Sequence, residues 1–286
     1  MNILLVILCA AAVAQLAIEA LVRTLSHRRH RPGAEEFGGL TGERPLVILV
    51  EGIRWSLFSW DRDNALAGLR LSGYAGDFHY WKWHEDWRAW LVLPVIAAPR
   101  FLERRANELA EMIRRRRAEH PRSPVYLVGI SCGGYLLTRA LELLPEEVQV
   151  DGVALIGAAM NPWRNLSLAA VHVLTPMVVT QSYLDWQTLG LGTLITGTAD
   201  RRHRPSMGML GPRGRGNREL IQSGRMHVLS WRPRFLKLGN CGGHLTAASP
   251  VFIAQVLAPK LLCPADYGHG DDRASCGKRE TSWNCD

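Results

Sequence analysis

The segment Val125-Tyr126-Leu127-Val128-Gly129-Ile130-Ser131-Cys132-Gly133-Gly134 constrains the fold more than any other. An uninterrupted apolar, β-forming run leads straight into the pattern Gly-x-Ser-x-Gly. At a sharp strand-to-helix turn the serine backbone is strained, and its neighbours must approach so closely that a Cβ would obstruct them. The flanks agree. Pro121 and Pro124 delimit the start of the strand, and Tyr135 to Leu144 reads as a helix that Pro145 ends. A strand that is apolar throughout is buried on both faces, which requires neighbouring strands and helices above and below it.

The rest of residues 45–262 supplies them. Leu46 to Val50 is a second continuous β-branched run. A short helix is expected over Asp61 to Leu69, a strand over Asp77 to Trp83, and a helix over Arg100 to Arg116 with Leu102, Ala106, Leu109 and Ile113 at helical spacing. Strands follow at Val153–Ile156, Met177–Thr180 and Met226–Ser230, the second after a helix that Asn161-Pro162 is expected to open. Ser249-Pro250 starts a last helix over Val251 to Leu257. This alternation predicts an α/β fold, a mostly parallel central sheet with helices on both faces.

The amino terminus precedes that domain. Ile3 to Ile18 is nearly all apolar, interrupted by Gln15 and closed by Glu19, and Ala20 to Val22 extend it toward the roughly 20 residues that span a bilayer. Positive charge follows the run, from Arg23 to Arg31, rather than preceding it. The expectation is therefore a transmembrane or signal-anchor helix over residues 1–24, a basic linker over 25–44, and the domain on the cytoplasmic side; the alternative is a cleaved signal with a secreted or periplasmic product. Residues 263–286 are polar and read as a disordered tail.

With 286 residues, 47% of them hydrophobic and 21% charged, the chain has the composition of a globular domain with appendages. The net charge of +8 comes largely from arginines at 28–31, 114–117 and 201–202. They are scattered and lack interleaved aromatics, so a solvated basic face or an anionic membrane is expected, and no nucleic acid. The cysteines at 9, 132, 241, 263, 276 and 285 contain no Cys-x-x-Cys pair, so neither a metal nor another cofactor is implied.

A serine hydroxyl is a poor nucleophile until a histidine takes its proton and a carboxylate holds that histidine. His244 is the preferred base: it ends the loop Gly239-Asn240-Cys241-Gly242-Gly243 after the last strand and precedes the last helix. His227 lies within a strand and His203 in a basic loop. Asp185, shortly after the strand Met177–Thr180, is the preferred acid, with Asp200 as the alternative.

The elbow, the order Ser131–Asp185–His244 and the glycine-flanked histidine resemble the α/β-hydrolase superfamily, over roughly residues 45–262. The resemblance implies an oxyanion hole of backbone N–H groups, here Cys132 after the nucleophile and the Gly52-Ile53 turn. It also implies a membrane-anchored serine esterase or lipase-like hydrolase, acting on a small-molecule or lipid ester through an acyl-enzyme. An acyltransferase or thioesterase would use the same residues. A catalytically silent, membrane-tethered interaction domain is the reading from a different class. Two departures stand out: Glu51 precedes Gly52 where many relatives have histidine, and the first antiparallel strands of the family are not evident. The stretch between Asp185 and Met226 is the expected cover, and Tyr80, Trp81, Trp83, Trp87 and Trp90 form either an apolar wall or core packing.

Overall fold

In a computed structural model, which describes residues 3–30, 43–53, 60–84 and 98–262, six strands form one sheet. They are β1 (Leu46–Val50), β2 (Asp77–Trp81), β3 (Val125–Ile130), β4 (Gly152–Ile156), β5 (Met177–Gln181) and β6 (Met226–Ser230). Their order is β2-β1-β3-β4-β5-β6 and every pairing is parallel. No antiparallel strand precedes this sheet among the described residues, in keeping with the sequence.

Each face carries its own core. Leu46, Ile48, Val50 and Leu127 point to one side, where they meet Leu109 and Ile113 of α3 (Pro99–Glu119) and Leu137 of α4 (Cys132–Glu142). Val47, Leu49 and Val128 point to the other, against Leu66 and Leu69 of α2 (Trp60–Leu71) and Ile253 and Leu257 of the last helix, Pro250–Leu261. Successive strand residues thus alternate between two buried faces, the reason β1 has no polar position. Each such side chain contributes about 1.5–3 kcal/mol by leaving water.

Three departures from the expected elements have physical causes. Asn161-Pro162 opens a turn, and the helix after it shrinks to Ser167–Ala170. Side chains capture the backbone there: Asp200 accepts from Asn161 N (2.9 Å), and Asn165 Oδ1 accepts from Ser167 N (3.0 Å). The arginines at 114–117 divide, with Arg114 and Arg115 exposed and Arg116 and Arg117 turned to the domain. Arg116 and Arg117 donate to the carbonyls of Arg44, Gln149 and Ser123, and Arg114 and Arg115 pair with Glu111. Finally, the amino-terminal helix α1 runs from Ile3 to Arg29, into the stretch expected as linker. Trp87, Trp90, the linker residues 31–42 and the tail with Cys263, Cys276 and Cys285 lie outside the described residues.

Candidate active site

Ser131 sits where β3 ends and α4 begins, with φ 54° and ψ −121°, a conformation that costs on the order of 1–3 kcal/mol for a residue with a Cβ. The surroundings over-determine it. Its N–H donates to Ile156 O (2.9 Å), and its carbonyl accepts from Gly134 N (3.1 Å) and Ala159 N (3.0 Å). A Cβ on Gly133 would drive into the carbonyl oxygens of Val50 and Glu51, so only glycine lets the start of α4 lie against the end of β1. That approach brings Gly52 onto the serine: a Cβ there would be 2.8 Å from Ser131 Cβ. Cys132 opens the helix, so its N–H has no intrahelical acceptor. Its side chain is buried, and burial, with Asp200 as a lesser cause, pushes the thiol up to about 12. Such a thiol is inert at neutral pH.

Asp185 follows β5 and caps the short π-turn Trp186–Gly192, where one carboxylate oxygen accepts from Leu189 N (3.3 Å). The other lies 2.7 Å from His244 Nδ1. With the carboxylate ionised, Nδ1–H donates and Nε2 is left to accept a proton. Burial disfavours the charged imidazole, but Asp185 outweighs it, and the pKa of His244 is raised above the ordinary histidine value. The ring lies over Gly157, where a Cβ would be 3.6 Å from Cε1; Gly157 adjoins Ile156, the acceptor of Ser131 N–H. Among the described residues no hydrogen bond joins Ser131 Oγ to His244. Nucleophile–base contacts of this kind often tighten only in the complex with substrate.

Asp200 is elsewhere. Its Oδ1 accepts from Thr198 Oγ1 (2.6 Å) and Asn161 N (2.9 Å), which makes it a turn-forming carboxylate. His203 Nδ1 lies against Leu194 O (3.2 Å), and His227 stays in β6. Glu51 is buried, with its carboxylate bound by the Tyr80 hydroxyl and its carbonyl by Trp83 Nε1 (2.9 Å). Trp81 and Trp83 are therefore core residues rather than a pocket wall. A cavity of about 20 Å³ lined by Thr180, Asp185, Trp231, Asn240 and Gly242 has room for one water and not for a substrate.

The sequence reading missed what holds the histidine loop. Within the loop, Asn240 Oδ1 accepts from Gly242 N (2.9 Å) and Thr246 Oγ1 from Cys241 N (3.0 Å). From outside, Glu19 of α1, only 1% exposed, accepts from Leu245 N (3.1 Å). A Cβ on Gly243 would collide with the Glu19 carboxylate, so this glycine is what admits α1 to the site. Gln15 donates to Leu184 O (2.7 Å), next to Asp185, and to Glu19 (2.9 Å). The signal was present in the sequence as a four-residue spacing of polar residues, Gln15, Glu19, Arg23 and His27, along an apolar helix.

A family model described as Hydrolase_4, serine aminopeptidase S33, matches residues 101–204, which contain Ser131 and Asp185 but not His244. Neither the curated proteins nor the solved structures contain a match to the chain. The parallel sheet and this match identify the chain as a member of the α/β-hydrolase superfamily. More narrowly, the match supports a hydrolase of the α/β-hydrolase type.

Proposed function

We propose that the protein is a serine hydrolase of carboxylic esters, with Ser131 as nucleophile, His244 as general base and acid, and Asp185 as the group that orients and charges the imidazole. The observation that carries this reading is the 2.7 Å contact between Asp185 and His244 Nδ1, made over Gly157 beside a strained serine elbow. In the reaction, His244 Nε2 takes the proton of Ser131 Oγ as the oxygen attacks the ester carbonyl. The tetrahedral oxyanion then forms beside Cys132 N–H and the Gly52-Ile53 turn, where such donors are worth about 3–4 kcal/mol each. His244 returns the proton to the leaving alcohol, and water repeats the sequence on the acyl-enzyme. The apolar α1 against the site favours a lipid-like ester; a membrane tether through this helix belongs to the same proposal.

The test is labelling of the full chain by a fluorophosphonate, beside Ser131→Ala, followed by hydrolysis of matched ester and aminoacyl-amide substrates. Labelling that Ser131→Ala abolishes, with ester turnover well above amide turnover, is the expected result. Amide turnover in excess would move the substrate class to peptides. No labelling of a folded chain would favour the silent interaction domain.

A further inference from the structure

Helix α1 is inside-out. At the surface of a soluble domain, a helix turns its apolar residues inward and its charges to water. Here the inward stripe is polar and each member has a partner on the domain. Gln15 donates to Leu184 O and accepts from Trp186 Nε1 (3.1 Å), and Glu19 accepts from Leu245 N. Arg23 pairs with Asp61 at 2.7 Å, and His27 lies 3.9 Å from Asp63. The outward face carries Val13, Ile18, Leu21 and Leu25, which are 56–68% exposed. Single exposed apolar residues need no explanation, but a whole helix face of them opposite a polar stripe bound to the domain does.

From these contacts we infer that α1 lies in the surface of an anionic bilayer, its polar stripe forming the seam with the domain and its outward face immersed among acyl chains, so that the Ser131–His244 site works at the lipid surface. Three observations select lipid as the occupant. The sequence ahead of the seam, Ile3 to Ala11, carries no charged residue. The helix ends in Arg28 and Arg29, whose charges anionic headgroups attract. The π-turn that touches Ala12 and Gln15 leads into further exposed apolar side chains, Leu191, Leu194 and Ile195.

Length decides between lying on the bilayer and crossing it. Residues from Ala12 onward are bound to the domain, Ala12 O through Gln187 Nε2 at 2.9 Å, which leaves Ile3 to Ala11 ahead of the seam. At about 1.5 Å per residue they reach roughly 14 Å, well short of the ~30 Å hydrocarbon core. A helix with one face in lipid and the other on protein fits the interfacial class. This is a different placement from the spanning anchor expected from sequence, for which the helix Cys9–Arg29 is long and apolar enough by length and composition. It rests on the ester-hydrolase reading only in naming the substrate, an acyl ester drawn from the bilayer; the lipid contact stands without it.

The experiment uses the full chain in phosphatidylglycerol vesicles, with the photoreactive residue p-benzoylphenylalanine in place of Leu21, of Leu25, or of Arg122 at the opposite end of the sheet as control. After irradiation, lipid adducts at positions 21 and 25 are expected at least tenfold above position 122. A covalent dimer from those positions overturns the inference in favour of a second copy, and adducts no higher than the control overturn it outright. Fluorophosphonate labelling of the same samples separates the two readings. Lipid adducts without labelling remove the hydrolase and keep the surface; labelling without adducts does the reverse.

Discussion

The serine elbow and the histidine loop meet at the carboxyl edge of one sheet, yet they are held in opposite ways. The elbow is backbone against backbone: Ser131 N–H and C=O are bonded to Ile156, Gly134 and Ala159, and Gly133 lets α4 press on the end of β1. The loop is held by side chains, and Glu19, which binds Leu245 N–H, stands 226 residues away. On the proposed reading, a nucleophile fixed by its own strand and helix is thus paired with a base fixed by the far end of the chain. Damage to the first should unfold the sheet; damage to the second should spare the fold and loosen the site.

The largest expected effect falls on the bond between the two halves of the base. Asp185→Asn is expected to slow fluorophosphonate labelling by ~10⁴-fold, the scale seen when a triad acid is replaced by its amide. The sign with pH is fixed by the raised pKa of His244. In the proposed reaction only the neutral imidazole accepts the serine proton, so wild-type labelling is expected to decline as pH falls through that raised value. Removing Asp185 removes the main cause of the rise, so the residual profile should move to lower pH. An unmoved midpoint would show that Asp185 does not set the protonation of His244.

Gly133→Ala tests the backbone half. Its methyl meets carbonyl oxygens that cannot rotate away, so the destabilisation should reach the upper part of the overpacking range, about 3 kcal/mol. For a domain of this size that is a fall in Tm of roughly 6–12 °C, read by thermal melting. Gly243→Ala is its counterpart in the loop. The methyl meets the Glu19 carboxylate, a side chain on a helix that can lift. We predict a Tm within about 3 °C of wild type and labelling slowed about tenfold, the scale of a lost hydrogen bond to a charged group. If the two glycines melt alike, the contrast between backbone-held and side-chain-held halves is wrong.

The smallest effect is assigned to Asp200. Asp200→Asn should cost on the order of 1–2 kcal/mol through the Asn161 and Thr198 bonds, with the labelling rate of the folded protein unchanged. Slowed labelling at full stability would return Asp200 to consideration as the acid.

What the sequence made legible follows the same division. The strands and the elbow are written in contiguous residues, so periodicity, glycine spacing and flanking prolines were enough to place β1, β3, β4, β5 and β6 to within a residue or two. The loop around His244 was recognisable by its glycines, but the reason for Gly243 was not, because it lies in Glu19. The helix expected after Asn161 failed for the same cause: the carboxylate that diverts its backbone belongs to Asp200, beyond the next strand. Gln15 and Glu19 read as interruptions of an apolar run because their partners, at Leu184, Trp186 and Leu245, could not be seen from their neighbours.

The bond from Glu19 to Leu245 also sets an order of events during synthesis. At about 5–20 residues per second, the 226 residues between them take roughly 10–45 s to emerge. For that interval α1 has left the ribosome with no domain to receive its polar stripe. In water an apolar helix left unpartnered for so long is an aggregation hazard; at a membrane it has a solvent from the start. The helix that completes the histidine loop is made first and docked last, so on the proposed reading the site is finished only where the amino terminus has already settled.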